Sequence, residues 1–163
     1  MVVENFYKKS VNSIQAGQSK APYAFVIPSG QPDQTQVDRV VNLLRRQAIE
    51  VHRATTEVKV GKEMFGAGSY IVKLNQPYGR FAKTLLEKQT YPDPQLQTYD
   101  DSAWTMGLAN NIEVKTIEDK AILDAPAELL KSDVETRATI AGSGSVFVVK
   151  HTGALNLITL RYR

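Results

Sequence analysis

The chain contains no cysteine. Thiol nucleophiles, disulfides, zinc–thiolate centres and iron–sulfur clusters are therefore all excluded. The compartment is not fixed by this, because a cysteine-free chain is stable in oxidising and reducing surroundings alike. Histidine is almost as scarce, with His52 in "VHRATTE" and His151 in "KHTGALN" the only two. A catalytic zinc needs imidazoles and a carboxylate converging on the metal with one position left open. Neither window carries an H-x-x-E, H-E-x-x-H or H-x-H pattern. The expectation is a half-exposed His52 at a strand end, a loop position for His151, and no metal or cofactor held by this chain. Long apolar runs are missing too: none approaches the roughly 20 residues of a membrane span. The start, Met1-Val-Val-Glu-Asn, lacks the basic residues and apolar core of a signal peptide. Nor does charge of one sign dominate. Twenty Lys and Arg are interleaved with 17 Asp and Glu, for a net charge of +3. A nucleic-acid surface gathers its basic residues on one stripe with aromatics between them, so no nucleic-acid partner is expected.

Motifs with known chemistry are absent as well. Gly142 and Gly144 in "AGSGSVFVVK" lack the third glycine and the immediate helix of a dinucleotide loop. "AGSGS" and "GAGSY" lack the spacing of a serine elbow. The neighbouring carboxylates Asp100-Asp101 and Glu118-Asp119 read as caps or solvated loop charges, and Glu50 and Glu113 stand at strand starts.

What is present is an ordinary globular composition, 42% hydrophobic and 23% charged over 163 residues, which suits one domain with a real core. "VVENFYKKSVNSIQAG" places Val3, Tyr7, Val11 and Ile14 on one helical stripe and closes at Gly17 as a C′ residue. Residues 1–17 thus read as an N-terminal helix and 22–163 as an α/β body. Phe25-Val26-Ile27 suits a strand buried on both faces. Asp33 is an N-cap with Gln36 in capping-box position, and Val37, Val40, Val41, Leu44 and Ala48 form the inner face of the helix that follows. "IEVHRA" is the next strand, completing a βαβ unit. A short hairpin is expected at Gly61-Lys62, a turn at Gly66-Ala67-Gly68 and a strand at Ile71-Val72. A helix is expected from Pro77 to about Lys88, burying Tyr78, Phe81, Ala82, Leu85 and Leu86. After a long polar loop capped at Asp100 or Asp101, a short helix carries Trp104, Met106 and Leu108 into the strand "IEVKTI". Residues 118–134 read as loop and exposed strand, 135–150 as a strand pair turning at Gly142-Ser143-Gly144, and "HTGALNLITLRYR" as a last helix. That final pattern has no cap or breaker before Arg163, so the chain reads as a piece of a longer protein. "LLRRQAIEV" and "MGLANNIEV" echo each other; the expectation is two helix-to-strand transitions of one doubly wound sheet, not a true repeat. The order predicts an α/β three-layer sandwich with a mainly parallel sheet and one antiparallel hairpin excursion.

"PYAFVIPSGQPDQTQVDRVVNLLRRQAIEVHRAT", "GSYIVKLNQPYGRFAKTLLEKQTYPD" and "YDDSAWTMGLANNIEV" together resemble a region of large bacterial proteins of the zinc carboxypeptidase family. There a carboxypeptidase A-like catalytic domain is followed by a domain similar to class I glutamine amidotransferases. The resemblance implies a flavodoxin-like fold, a periplasmic or secreted parent, and a zinc site in the parent's catalytic domain rather than here. An amidotransferase needs a cysteine nucleophile on a strand-to-helix elbow. With none present, no catalytic residue carries over. The resemblance thus implies a non-catalytic accessory domain whose partner is the preceding peptidase domain. Two other readings stand beside it. One is a module that binds a peptide or small molecule in a strand-end crevice, lined by Gln76, Tyr78 and Arg80 of "NQPYGR" and by Tyr99, Asp100 and Trp104 of the long loop. The other is a degenerate enzyme with unusual serine or carboxylate chemistry.

Overall fold

Strand β1, Ala24–Ile27, is buried at all four positions, as the unbroken apolar run "AFVI" requires. The computed structural model describes residues 1–89, 93, 95, 104–137, 139, 141–149, 151 and 156–162. Helix α1 spans Val2–Ser19 and α2 Gln34–Arg46; β2 is His52–Ala54, β3 Val58–Val60, β4 Glu63–Phe65 and β5 Tyr70–Lys73. There follow α3, Gly79–Leu86, α4, Met106–Ala109, and β6, Lys115–Ile117. A 3-10 turn at Lys120–Asp124, β7 at Ala127–Leu129 and α5 at Asn156–Tyr162 complete the order.

The sheet runs β6-β1-β5-β2-β7, and every adjacent pair is antiparallel. This overturns the expected parallel, flavodoxin-like, amidotransferase-like sandwich. Strands β1 and β2 do run in the same direction, as a βαβ reading requires, but they are not neighbours. After β2 the chain makes the β3–β4 hairpin and returns as β5 between them, pairing Phe25 with Val72 and Arg53 with Tyr70. A strand covered on both faces is apolar throughout whichever way its neighbours run, so composition could not decide the direction. The connectivity is that of two interlocked split βαβ units, the ferredoxin-like arrangement, with β3–β4 inserted at its centre and β7 added at one edge.

Among the described residues, only one face of the sheet carries the α-helices of the core. Phe25, Ile27, Tyr70 and Val72 meet Val37, Val40, Val41 and Leu44 of α2, Ala82, Leu85 and Leu86 of α3, and Met106 of α4. On the other face Ala24, Val26 and Ile71 meet Val58, Val60 and Phe65 of the hairpin and Ile122 of the 3-10 turn. The hairpin turns at Gly61-Lys62 as expected, with Val60 paired to Glu63 and φ +58 at Gly61, the first central position of a type II′ turn.

Local departures from the sequence reading have local causes. Ala48 is not on the inner face of α2: the helix ends at Arg46, and Ala48 is exposed with φ 59. Gly17 is not a C′ residue, because α1 continues to Ser19. Pro77 lies outside α3, whose N-cap is Tyr78; Tyr78 and Phe81 are 37% and 40% exposed instead of core. Trp104 precedes α4, which starts at Met106 from the N-cap Thr105. The caps expected at Asp100 or Asp101 lie outside the described residues. The strand pair expected over 135–150 is absent among the described residues, and Val146, Phe147, Val148 and Val149 are exposed.

The echo in the sequence proves to be a structural repeat. After α2, the Ala48 N–H donates to the Arg45 carbonyl at 2.9 Å and the Ile49 N–H to Leu44 at 3.1 Å. After α4, Asn111 has φ 52, its N–H donates to Leu108 at 3.1 Å, and the Ile112 N–H donates to Gly107 at 2.9 Å. The strand registers correspond as well: Phe25↔Thr116 and Val26↔Lys115 on one side match Tyr70↔Arg53 and Ile71↔His52 on the other. A pseudo-twofold axis therefore passes through the Val26↔Ile71 pair. It relates β1-α2-β2 to β5-α3-α4-β6.

Candidate functional site

The two strand-to-helix turns each contain Gln-Pro, "GQPD" after β1 and "NQPY" after β5. Gln76 is 2% exposed. Its Nε2 donates to the carbonyls of Glu50 at 3.0 Å and Lys73 at 2.6 Å, and its Oε1 accepts the Glu50 N–H at 2.7 Å. Gln31 repeats this in the other half. Its Nε2 donates to the carbonyls of Glu113 at 2.9 Å and Pro28 at 3.3 Å, and its Oε1 accepts the Glu113 N–H at 2.7 Å. Each half's glutamine thus holds the Ile-Glu-Val segment of the other half. Asn42 does the same for Val134, donating to its carbonyl at 2.8 Å and accepting its N–H at 2.9 Å. In all three, a side-chain amide supplies the donor and acceptor that a neighbouring strand would supply.

The expected crevice residues therefore separate. Gln76 faces inward with its amide engaged by main chain. Arg80 is exposed on the first turn of α3 and Tyr78 stands at its N-cap. Trp104 is half-buried, with an indole Nε1 that is shielded and meets no acceptor among the described residues. Tyr99 and Asp100 lie outside the described residues.

Arg80 contributes to a hollow of about 420 Å³ between α1 and α3, lined also by Ser13, Gly17, Lys20, Lys83 and Glu87. Here α1 is locked down. A Cβ on Gly17 would sit 2.1 Å from the Leu74 carbonyl oxygen, so only glycine lets the helix approach. Four residues earlier, Ser13 Oγ donates to the Gln76 carbonyl at 3.1 Å and accepts the Arg80 N–H at 3.3 Å. Helix α3 has no side-chain cap of its own, whereas in α2 Asp33 accepts the Gln36 N–H at 3.1 Å. Ser13 thus lends α3 the cap that Tyr78 cannot provide. A second hollow, of about 410 Å³, lies between Pro28–Pro32 and Leu108, Asn111, Ile112 and Glu113, beside the Gln31 clamp.

Among the described residues two bases are shifted downward, and neither lines either of these two hollows. His52 on β2 is lowered by its burial and then by the Lys73 ammonium. Lys73 on β5 is lowered by burial, opposed by Asp124, and its Nζ donates to the Leu123 carbonyl at 2.7 Å. The Lys73 contact ties the 3-10 turn to the sheet. Among the described residues no group of three or more potential ligands gathers to hold a metal ion, and no helix is long and apolar enough to cross a membrane.

Sequence reasoning missed Gln31 and Ser13, and read Gly17 as a helix end where it is a contact point. A signal for Gln31 existed: "GQPD" pairs with "NQPY" as "AIEV" pairs with "NIEV". The contacts of Ser13 and Gly17, made across more than fifty residues, had none. No protein-family model, curated protein or solved structure matches the chain.

Proposed function

We propose that this chain is a non-catalytic accessory module that docks onto another folded domain through the first turns of α1. The reading agrees with the resemblance to the region following a zinc carboxypeptidase catalytic domain, and that domain is the proposed partner. In this reading the zinc belongs to the partner, and the pair works outside the cytoplasm.

One observation carries the proposal. Val2, Val3, Phe6 and Tyr7 are 83%, 82%, 58% and 68% exposed, on a helix whose far end is fixed by Gly17 and Ser13. Large apolar side chains held in water on an anchored element favour a partner that removes them from it. The test is to titrate this chain against the peptidase domain, following association by calorimetry and peptidase rate by peptide hydrolysis. Binding that Phe6→Glu weakens tenfold or more, with the circular dichroism spectrum unchanged, is the expected result. Absence of both association and any rate change would sink the proposal.

A second reading is favoured by the α1–α3 hollow, where Lys20, Arg80 and Lys83 outnumber Glu87. It would take a small anionic ligand, and thermal stabilisation by carboxylate peptides, lost in Arg80→Ala, would support it.

A further inference from the structure

The pseudo-twofold axis maps β2 onto β6, yet the outer edges of the two strands differ. Against β2 lies β7, pairing His52 with Leu129, Arg53 with Glu128 and Ala54 with Ala127. The ladder is extended by the Leu130 N–H donating to Val51 at 2.9 Å and the Thr55 N–H donating to Pro126 at 3.1 Å. The corresponding groups beside β6 are the Val114 carbonyl and the Glu118 N–H. Neither meets a backbone partner among the described residues, and β6 is the last strand on its side of the sheet. Ile117 faces β1, since its carbonyl accepts the Tyr23 N–H at 2.8 Å. Thr116 therefore turns its main chain outward, as Arg53 does toward β7. An open edge of this kind is a template for one more strand.

The chain also carries a strand-forming segment that joins no ladder among the described residues. Val146, Phe147, Val148 and Val149 are β-branched or aromatic, in the types that strands favour, and are 83%, 67%, 96% and 52% exposed. Alternation would put Val146 and Val148 on one face and Phe147 and Val149 on the other. Both faces would then be apolar, which suits a sheet covered on both sides. Beside β6, Met106, Ile112 and Val114 lie on the helix side, and Ile117 and Ile122 on the other.

We propose that the outer edge of β6 receives residues 146–149 of a second copy of this chain as an added antiparallel strand. Reciprocal exchange makes the contact twice about a twofold axis, the commonest symmetry of homodimers. A second copy is the occupant because the complementary segment belongs to the chain itself, and because in its own copy Val148 stands almost fully in solvent. This edge is separate from the α1 face, so the inference is independent of the docking proposed above.

The test is light scattering after size exclusion, over a range of concentrations, on the parent chain and on Thr116→Pro and Val148→Lys. Thr116→Pro removes the outward N–H; Val148→Lys places a charge in the donated segment. A parent dimer, with both variants monomeric and spectrally unchanged, is expected. Mixing the two variants should restore a dimer, since an intact edge then meets an intact segment. Should Thr116→Pro fail to fold, Glu118→Pro blocks the neighbouring outward N–H from beyond the strand. The proposal is overturned by a parent that stays monomeric at every concentration, or by a dimer that survives either substitution. It is equally overturned if both variants lose thermal stability without a change in mass, because the segment would then pair within its own chain.

Discussion

Replacing Gln76 by leucine keeps the side-chain volume and removes three hydrogen bonds, leaving the Glu50 N–H and the carbonyls of Glu50 and Lys73 without their partner. With Gln76 only 2% exposed, water cannot readily replace the amide. At about 1 kcal/mol net for each bond, the loss comes to roughly 3 kcal/mol. Gln31 makes the same set of bonds in the other half, but its contacts to Glu113 are exposed. There water substitutes, and Gln31→Leu should cost about 1 kcal/mol. The pair is an internal control, with like chemistry, like geometry and unlike access to solvent. Urea unfolding followed by circular dichroism measures both, and m-values shared with the parent chain would show that only stability has changed. In melting temperature the expected drops are about 6–12 °C for Gln76→Leu and about 2–4 °C for Gln31→Leu. Equal losses would refute the argument that exclusion of water sets the difference. No loss in Gln76→Leu would refute the clamp itself.

The other predictions concern the anchoring of α1 and the titration of His52. Gly17→Ala puts a methyl group into the Leu74 carbonyl, so hydrogen exchange should accelerate throughout α1 while the sheet amides stay protected. Ser13→Ala uncovers the first turn of α3 and should cost about 1–2 kcal/mol in urea unfolding; an unchanged midpoint would remove Ser13 from that role. His52 has a folded-state pKa below its ordinary 6.5, so the unfolded chain takes up its proton first. Its contribution is therefore full above pH 6.5, falls as pH drops through that value, and levels off below the folded-state pKa. Between pH 7.5 and 5.5 the parent should lose more stability than His52→Gln, and parallel losses would contradict this reading.

The sequence by itself determined the local elements. The Asp33 cap, the Gly61-Lys62 turn, the buried run at Phe25-Val26-Ile27 and the inner stripe of α2 were all legible, because each depends on residues within a few positions. Gly17 and Ala48 were misread, since a close approach to a distant carbonyl and a left-handed turn without glycine leave no local trace. Tertiary structure alone decided that β5 enters between β1 and β2 and makes the sheet antiparallel. Pairing direction is set by which edge the returning chain reaches, and an apolar strand buried on both faces looks the same with either kind of neighbour. The candidate site divided in the same way. Gln76 was visible as a polar residue after a strand, but only the fold turned it inward onto Glu50, because its bonds join halves of the molecule that the chain keeps apart.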